Sequence, residues 1–215
     1  MRWKFFFLSA LLAFPAFPQT FQQLQYELGA DIGYGIYRNG TILSPEGSIN
    51  AGIRNRFAAG ITLGADFSDY VSGEFNFLYH DGHPFLQGLG VKTDIQGNSW
   101  ALTGSLLFYF KNRAHKLRPF VSGGVGGKGY FIAGPAPFPQ PIPQVASLTT
   151  NDVWKVVLVP GAGVKYRIHR KVILRGEFRD YLTTFPRTQI FPAPHNTARG
   201  IFEQLTPLFG VSYVF

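Results

Sequence analysis

Hydrophobic and polar residues alternate along most of the chain. In the final segment Leu205, Phe209 and Tyr213 fall on one face of an extended chain, while Thr206 and Ser212 fall on the other. A period of two residues is typical of a β-strand with one apolar face. The same alternation predicts eight strands, at residues 24–37, 57–67, 71–80, 99–110, 118–132, 154–168, 172–179 and 205–215.

The connections between these segments alternate in length. Those at 38–56, 81–98, 133–152 and 183–203 are long, whereas those at 68–70, 111–117 and 169–170 are short. Long outer loops that alternate with short periplasmic turns are typical of membrane barrels with an even number of strands. The pattern therefore predicts an all-β fold, an eight-stranded antiparallel up-and-down transmembrane β-barrel.

Alternation alone does not decide which face meets lipid, because a lipocalin-like barrel would turn its apolar face inward. Here the apolar face carries aromatic residues near the strand ends, among them Trp100, Trp154 and Tyr213, as the aromatic girdles of membrane barrels do. The other face carries charges of both signs, which favours a packed ionic interior. We predict a structural interior network of Glu27, Asp31, Glu74, Lys165, Arg175, Glu177 and Arg179. A ligand site at Arg175, Glu177 and Arg179 is the alternative.

The first residues predict export. Arg2 and Lys4 precede a short apolar run at 5–13, which is typical of a secretory signal peptide. We expect cleavage within residues 16–20, so that residues 1–20 are the signal peptide and residues 21–215 are the barrel domain. The formal charge of +8 then falls to about +6, and the absence of cysteine excludes disulfides and a lipid-anchored cysteine.

The chain resembles the small outer-membrane barrels typified by the transmembrane domain of outer membrane protein A, and also outer membrane protein W-like barrels. The resemblance rests on the terminal LFGVSYVF, the hairpin VPGAGVKYRIHRKVILRGEFRDYL and the strand RPFVSGGVGGKGYF. It implies a monomer in the cell outer membrane of a Gram-negative envelope, in contact with membrane lipid and lipopolysaccharide. It also implies that Val211, Tyr213 and Phe215 form the signal that the barrel-assembly machinery recognises. With Phe215 as the last residue, we expect no peptidoglycan-binding domain.

Other motifs give little sign of catalysis or of a cofactor. His80, Asp81 and His83 have the residue types of metal ligands, but the set is small and polarity at a loop edge explains it better. The glycine-rich runs lack the order of a phosphate-binding loop. We therefore predict no enzyme, no cofactor, and neither catalytic nor metal-binding residues.

The connections carry the remaining signals about partners. The proline-rich loop at 133–150 fits a surface recognition segment and a loop without a fixed partner equally well. Two of the short turns are basic, and their cationic or titratable residues are Lys111, Arg113, His115, Lys116 and Arg118 in one and Arg167, His169, Arg170 and Lys171 in the other. These turns suit anionic lipid headgroups, whereas no nucleic-acid-binding motif is present and we expect no nucleic-acid partner. We expect a role in envelope structure or surface interaction. The alternatives are a narrow pore for small hydrophobic molecules, which outer membrane protein W-like barrels suggest, and a lipid A-modifying enzyme.

Overall fold

Fourteen β-strands make up the regular structure of the described residues. The computed structural model describes residues 24–44, 47–88, 90–138, 140, 142–184, 189–194 and 201–215. The strands are β1 (Gln25–Arg38), β2 (Gly40–Ser44), β3 (Gly47–Ile53), β4 (Arg56–Asp66), β5 (Val71–Asp81), β6 (Pro84–Gly88), β7 (Val91–Asp94), β8 (Gly97–Tyr109), β9 (Leu117–Ile132), β10 (Ala146–Leu148), β11 (Val153–His169), β12 (Val172–Thr184), β13 (Ile190–Pro192) and β14 (Ile201–Val214). The predicted signal peptide lies outside the described residues.

Eight of these strands close into one antiparallel barrel. Their order around the barrel is β1, β14, β12, β11, β9, β8, β5 and β4, and β4 pairs again with β1. Closure between the first and last strands places Leu28 opposite Tyr213 and Ile32 opposite Phe209. The predicted eight-stranded barrel is confirmed, and closure leaves none of these strands with an unpaired edge.

The apolar face of the barrel points outward. Ile32, Phe75, Leu158 and Phe209 are between 52% and 70% exposed, whereas the polar residues between them point inward and are buried. A soluble barrel would show the reverse arrangement, so the lipocalin-like alternative does not fit. No helix among the described residues is long and apolar enough to cross a membrane.

The long connections contain their own strands, which the sequence pattern did not predict. The first two loops form a four-stranded sheet in the order β2, β3, β6 and β7, and the last two loops pair through β10 and β13. Together they build an apolar core over one end of the barrel, which we call the cap. Its buried residues are Tyr37, Ile42, Ile49, Ala51, Ile53, Leu86, Ile95, Tyr130, Ile142, Val145, Ala146, Leu148, Ile190 and Phe202.

The proline-rich loop contributes to this core. Ile142, Val145 and Leu148 are at most 2% exposed, and Leu148 pairs with Ile190 of the last loop. The end of the loop therefore has a packing partner within the chain itself, which the sequence pattern had not indicated.

Candidate functional site

A cluster of charged side chains fills the middle of the lumen, and Arg175 lies at its centre. Its guanidinium is 2.9 Å from a carboxylate oxygen of Glu74 and 3.2 Å from one of Glu177. Asp31 and Glu27 lie slightly farther away, at 3.6 and 3.7 Å. One guanidinium thus faces four carboxylates in a region that is closed to bulk water.

Two further cations contact these carboxylates, so that three cations meet four carboxylates. Lys165 lies 2.6 Å from Glu27 and 2.9 Å from Glu74. Arg179 lies 2.6 Å from Glu177. The seven residues that the sequence assigned to an interior network are thus brought together in one cluster, which we call the lumen network. Its structural role stays a prediction.

Glycine residues opposite the charged side chains provide the space for this cluster. Asp31 and Arg175 both pair in register with Gly210, and Glu27 and Glu74 both pair with Gly64. A methyl group at Gly210 would collide with the carboxylate of Asp31 and crowd the side chain of Arg175. Pairing a long charged side chain with a glycine on the neighbouring strand allows a narrow barrel to enclose bulky ionic groups.

A second ionic group lies in the lumen nearer the short turns. Arg118 is 3.2 Å from Asp66, and Arg113 approaches the same carboxylate at 3.5 Å. The guanidinium of Arg118 also stacks 3.7 Å from the ring centre of Tyr109, whose hydroxyl pairs with Ser72 at 2.9 Å. Asp66 and Arg118 are both buried, and the sequence pattern did not predict this pairing.

A third group lies beneath the cap, around Lys128. Its ammonium is between 5.1 and 5.5 Å from the ring centres of Tyr37, Tyr130 and Tyr181, and it contacts the side-chain oxygen of Gln204. These tyrosines did not stand out in the sequence. The signal that could have identified them is strand parity, which places each of them on the inner face.

His80 belongs to this third group, which corrects its interpretation as loop polarity. It is fully buried, its Nε2 lies 3.4 Å from the hydroxyl of Thr206, and its ring packs edge-on against Tyr181 at 5.3 Å. The described residues contain no group of three potential metal ligands. His80 does pair in register with Ser99, but that side chain is also buried inside the barrel. A lipid A-modifying enzyme would need a histidine and a serine close together at the outer leaflet. The His80–Ser99 pair instead faces the lumen.

An open cleft of about 630 Å³ lies on the outside of the loop end. Two salt bridges border it, Arg56 to Asp81 at 3.0 Å and Arg54 to Asp94 at 2.8 Å. Its lining residues are Tyr34, Asn39, Arg54, Asn55, Arg56, Phe57, Asp81 and Phe85. Paired charges, amides and aromatic rings together can orient a polar ligand by hydrogen bonds and stacking.

The predicted assembly signal lies on the lipid-facing surface. Val211, Tyr213 and Phe215 are 49%, 47% and 62% exposed, and the rings of Tyr213 and Phe215 are 5.9 Å apart. All three side chains are accessible to another protein before insertion into lipid, and their recognition by the barrel-assembly machinery stays a prediction.

Several solved outer-membrane barrels have a similar fold. Neisserial surface protein A is 13% identical, with a TM-score of 0.55 over 88% of this chain and 97% of that chain. OprG from Pseudomonas aeruginosa is 15% identical, with a TM-score of 0.54 over 89% and 95%. AlkL, determined in lipid bilayers, is 18% identical, with a TM-score of 0.51 over 88% and 90%. At these identities the similarity establishes the fold alone. No curated protein sequence matches the chain.

The sequence itself matches a family across nearly its whole length. The outer membrane protein beta-barrel domain matches residues 6–215. The resemblance to small outer-membrane barrels is thereby confirmed, as is the predicted location in the outer membrane. The chain belongs to the outer membrane protein beta-barrel domain family.

Proposed function

We propose that this barrel is a non-conducting, non-catalytic scaffold that presents its loop end as an ordered contact surface outside the cell. The observation that carries the proposal is the apolar core of the cap. Ile42, Ile49, Leu86, Leu148 and Ile190 are each at most 1% exposed, and they come from all four long loops. Burying apolar side chains between loops stabilises one arrangement of those loops. A preordered surface loses less conformational entropy when a partner binds.

The polar lumen supports the non-conducting part of the proposal. The lumen network, the Arg118 group and the Lys128 group occupy successive levels of the barrel, and the cap covers the end above them. Moving an ion past the lumen network would require separating charge pairs that are buried together. Such separation costs several kcal/mol when a partner is left unpaired, on the order of 3–5 kcal/mol.

The cleft at the loop end supports the contact part. Arg54 stacks 5.8 Å from the ring centre of Phe85 and also pairs with Asp94. Both groups line a concave surface beside the cap. The cleft therefore offers a polar macromolecule at the cell surface hydrogen-bonding groups and an aromatic face in fixed positions.

Cell adhesion tests the contact role. Cells that display the wild-type chain are compared with cells that lack it on immobilised matrix proteins and glycans. We expect the chain to raise adhesion and Arg54→Ala/Phe85→Ala to lower it. Lys92→Ala is the matched control, because Lys92 is exposed in the same loop sheet but does not line the cleft. A heat-dependent shift in gel mobility verifies that each variant has folded into a barrel.

Planar-bilayer recordings and uptake of an apolar fluorescent probe test the closed lumen. We expect neither steady ion conductance nor probe uptake by the wild-type barrel. The proposal would be contradicted if adhesion did not depend on the chain while probe uptake did. That result would favour the alternative of a narrow pore for small hydrophobic molecules.

A further inference from the structure

The short-turn end of the barrel carries a basic surface built from two turns that are distant in sequence. The β8–β9 turn contributes Lys111 and Lys116, and the β11–β12 turn with the end of β11 contributes Arg167, Arg170 and Lys171. The two turns are neighbours because β9 pairs with β11, and the amide of Arg167 donates a 2.8 Å hydrogen bond to the carbonyl of Lys116. We call these five residues the basic rim.

The charge of the basic rim is not compensated. Within the described part of the chain, none of its five cations lies within 4 Å of a carboxylate. Asp66 and Asp69, which lie at this end of the barrel, are engaged with Arg113 and Arg118.

The loop end differs in this respect. Among the described residues there, Arg38, Arg54 and Arg56 each pair with a carboxylate, at 3.1, 2.8 and 3.0 Å. Lys92 is exposed at the same end and has no carboxylate within 4 Å among the described residues. Within the described residues, basic side chains without a carboxylate partner therefore cluster on the two adjacent short turns, whereas three arginines at the loop end are each paired with a carboxylate.

The depth of the basic rim coincides with the edge of the lipid-facing surface. Phe110, Tyr166 and Ile168 point outward beside it and are between 44% and 68% exposed. The ammonium of Lys171 lies 5.5 Å from the ring centre of the outward-facing Tyr213. Aromatic side chains of membrane barrels mark the interface, and lysine or arginine next to them extends its charged group towards the headgroups.

We propose that the basic rim binds the phosphate of anionic phospholipid headgroups in the periplasmic leaflet. Cations at this depth lie at the level of the lipid headgroups, and each of them adds to the attraction towards an anionic lipid surface. Because attraction is about 1 kcal/mol per lysine or arginine near the surface, each cation enriches anionic over zwitterionic lipid by at most about fivefold. This inference concerns the opposite end of the barrel from the contact surface and does not depend on it.

Lipid selection by the purified barrel tests the proposal. The protein is reconstituted in vesicles of phosphatidylcholine with a minor fraction of phosphatidylglycerol, released in mild detergent, and the lipids retained per barrel are counted by native mass spectrometry. We expect phosphatidylglycerol to be enriched over its fraction in the vesicles. Lys116→Gln/Arg170→Gln should lower that enrichment several-fold, and Lys116→Arg/Arg170→Lys should retain it.

The matched control removes the same charge at the loop end, with Arg38→Gln/Lys92→Gln, and should leave the enrichment unchanged. Equal losses in both glutamine variants, or no loss in the turn variant, would overturn the proposal. Should the turn variant not fold, salt titration of the wild type decides, because enrichment through surface charges must fall as salt is added. Salt-independent enrichment would overturn the proposal. The proposal would also be overturned if the barrel sedimented with isolated peptidoglycan only when Lys116 and Arg170 are present, while its lipid selection did not require these two residues.

Discussion

The lumen and the cap both have closely packed interiors, but the lumen buries charged side chains and the cap buries apolar ones. In the lumen, Arg175, Glu74 and Lys165 are buried at the centre, and apolar side chains face outward. In the cap, Ile49 and Leu148 are buried at the centre. The polarity of the protein is inverted between two regions that are joined by continuous strands.

The surroundings of each region explain the inversion. Lipid around the barrel wall accepts apolar side chains without cost, so the hydrophobic effect does not drive them into the lumen. The loops extend into water, where burying apolar side chains is favourable again. The stability of the lumen should therefore depend on charge pairing, and the stability of the cap on buried apolar area.

Removing the central cation of the lumen network should have the largest effect. Arg175→Ala leaves Glu74, Glu177 and Asp31 without their main shared partner. We expect a loss of about 3–5 kcal/mol in the free energy of unfolding, because a buried charge left unpaired is costly. Urea denaturation in lipid vesicles measures it. An unchanged urea midpoint would show that the network does not stabilise the barrel.

Shortening an apolar residue of the cap should destabilise the loops alone. Leu148→Ala removes a fully buried side chain and should cost about 2–3 kcal/mol locally. We expect faster hydrogen exchange at the amides of β10 and β13, with the urea midpoint of the barrel unchanged. If that midpoint fell as well, the two regions would not be independent.

Adding a methyl group within the lumen network tests its packing. Gly210→Ala would force Asp31 away from its present position and crowd Arg175. Overpacking of this kind costs roughly 1–3 kcal/mol, and denaturation in vesicles again measures it. Gly104→Ala is the matched control, because that glycine faces outward and a methyl group there meets no atom within 4 Å. Equal effects in both variants would point to a general cost of replacing glycine in these strands.

An exposed ion pair at the loop end should contribute least. Arg38 and Glu203 are 3.1 Å apart, but the side chain of Arg38 is 80% exposed. A double-mutant cycle with Arg38→Ala and Glu203→Ala should give a coupling energy below about 1 kcal/mol, because solvent screens the pair. A coupling as large as the effect of Arg175→Ala would contradict the view that burial gives the lumen pairs their importance.

Much of the barrel was predictable because strand parity is local information. Arg175, Glu177 and Arg179 recur at every second residue, so they had to share a face. The cap was not predictable in the same way, because Leu148 and Ile190 meet only through the pairing of two distant loops. The buried His80 was misinterpreted because its position at the end of the predicted strand 71–80 suggested a loop, although strand parity places its side chain in the lumen.

The alternating pattern is sufficient to locate the eight barrel strands, their inner and outer faces and the charges available inside, because a two-residue period needs no knowledge of distant contacts. The tertiary structure decided which charges pair, since those pairs form across the lumen between strands such as β1, β5 and β12. It also decided that the loops pack into a cap and that two basic turns meet at one rim. These features depend on the register and closure of the barrel, which bring together residues that the chain keeps far apart.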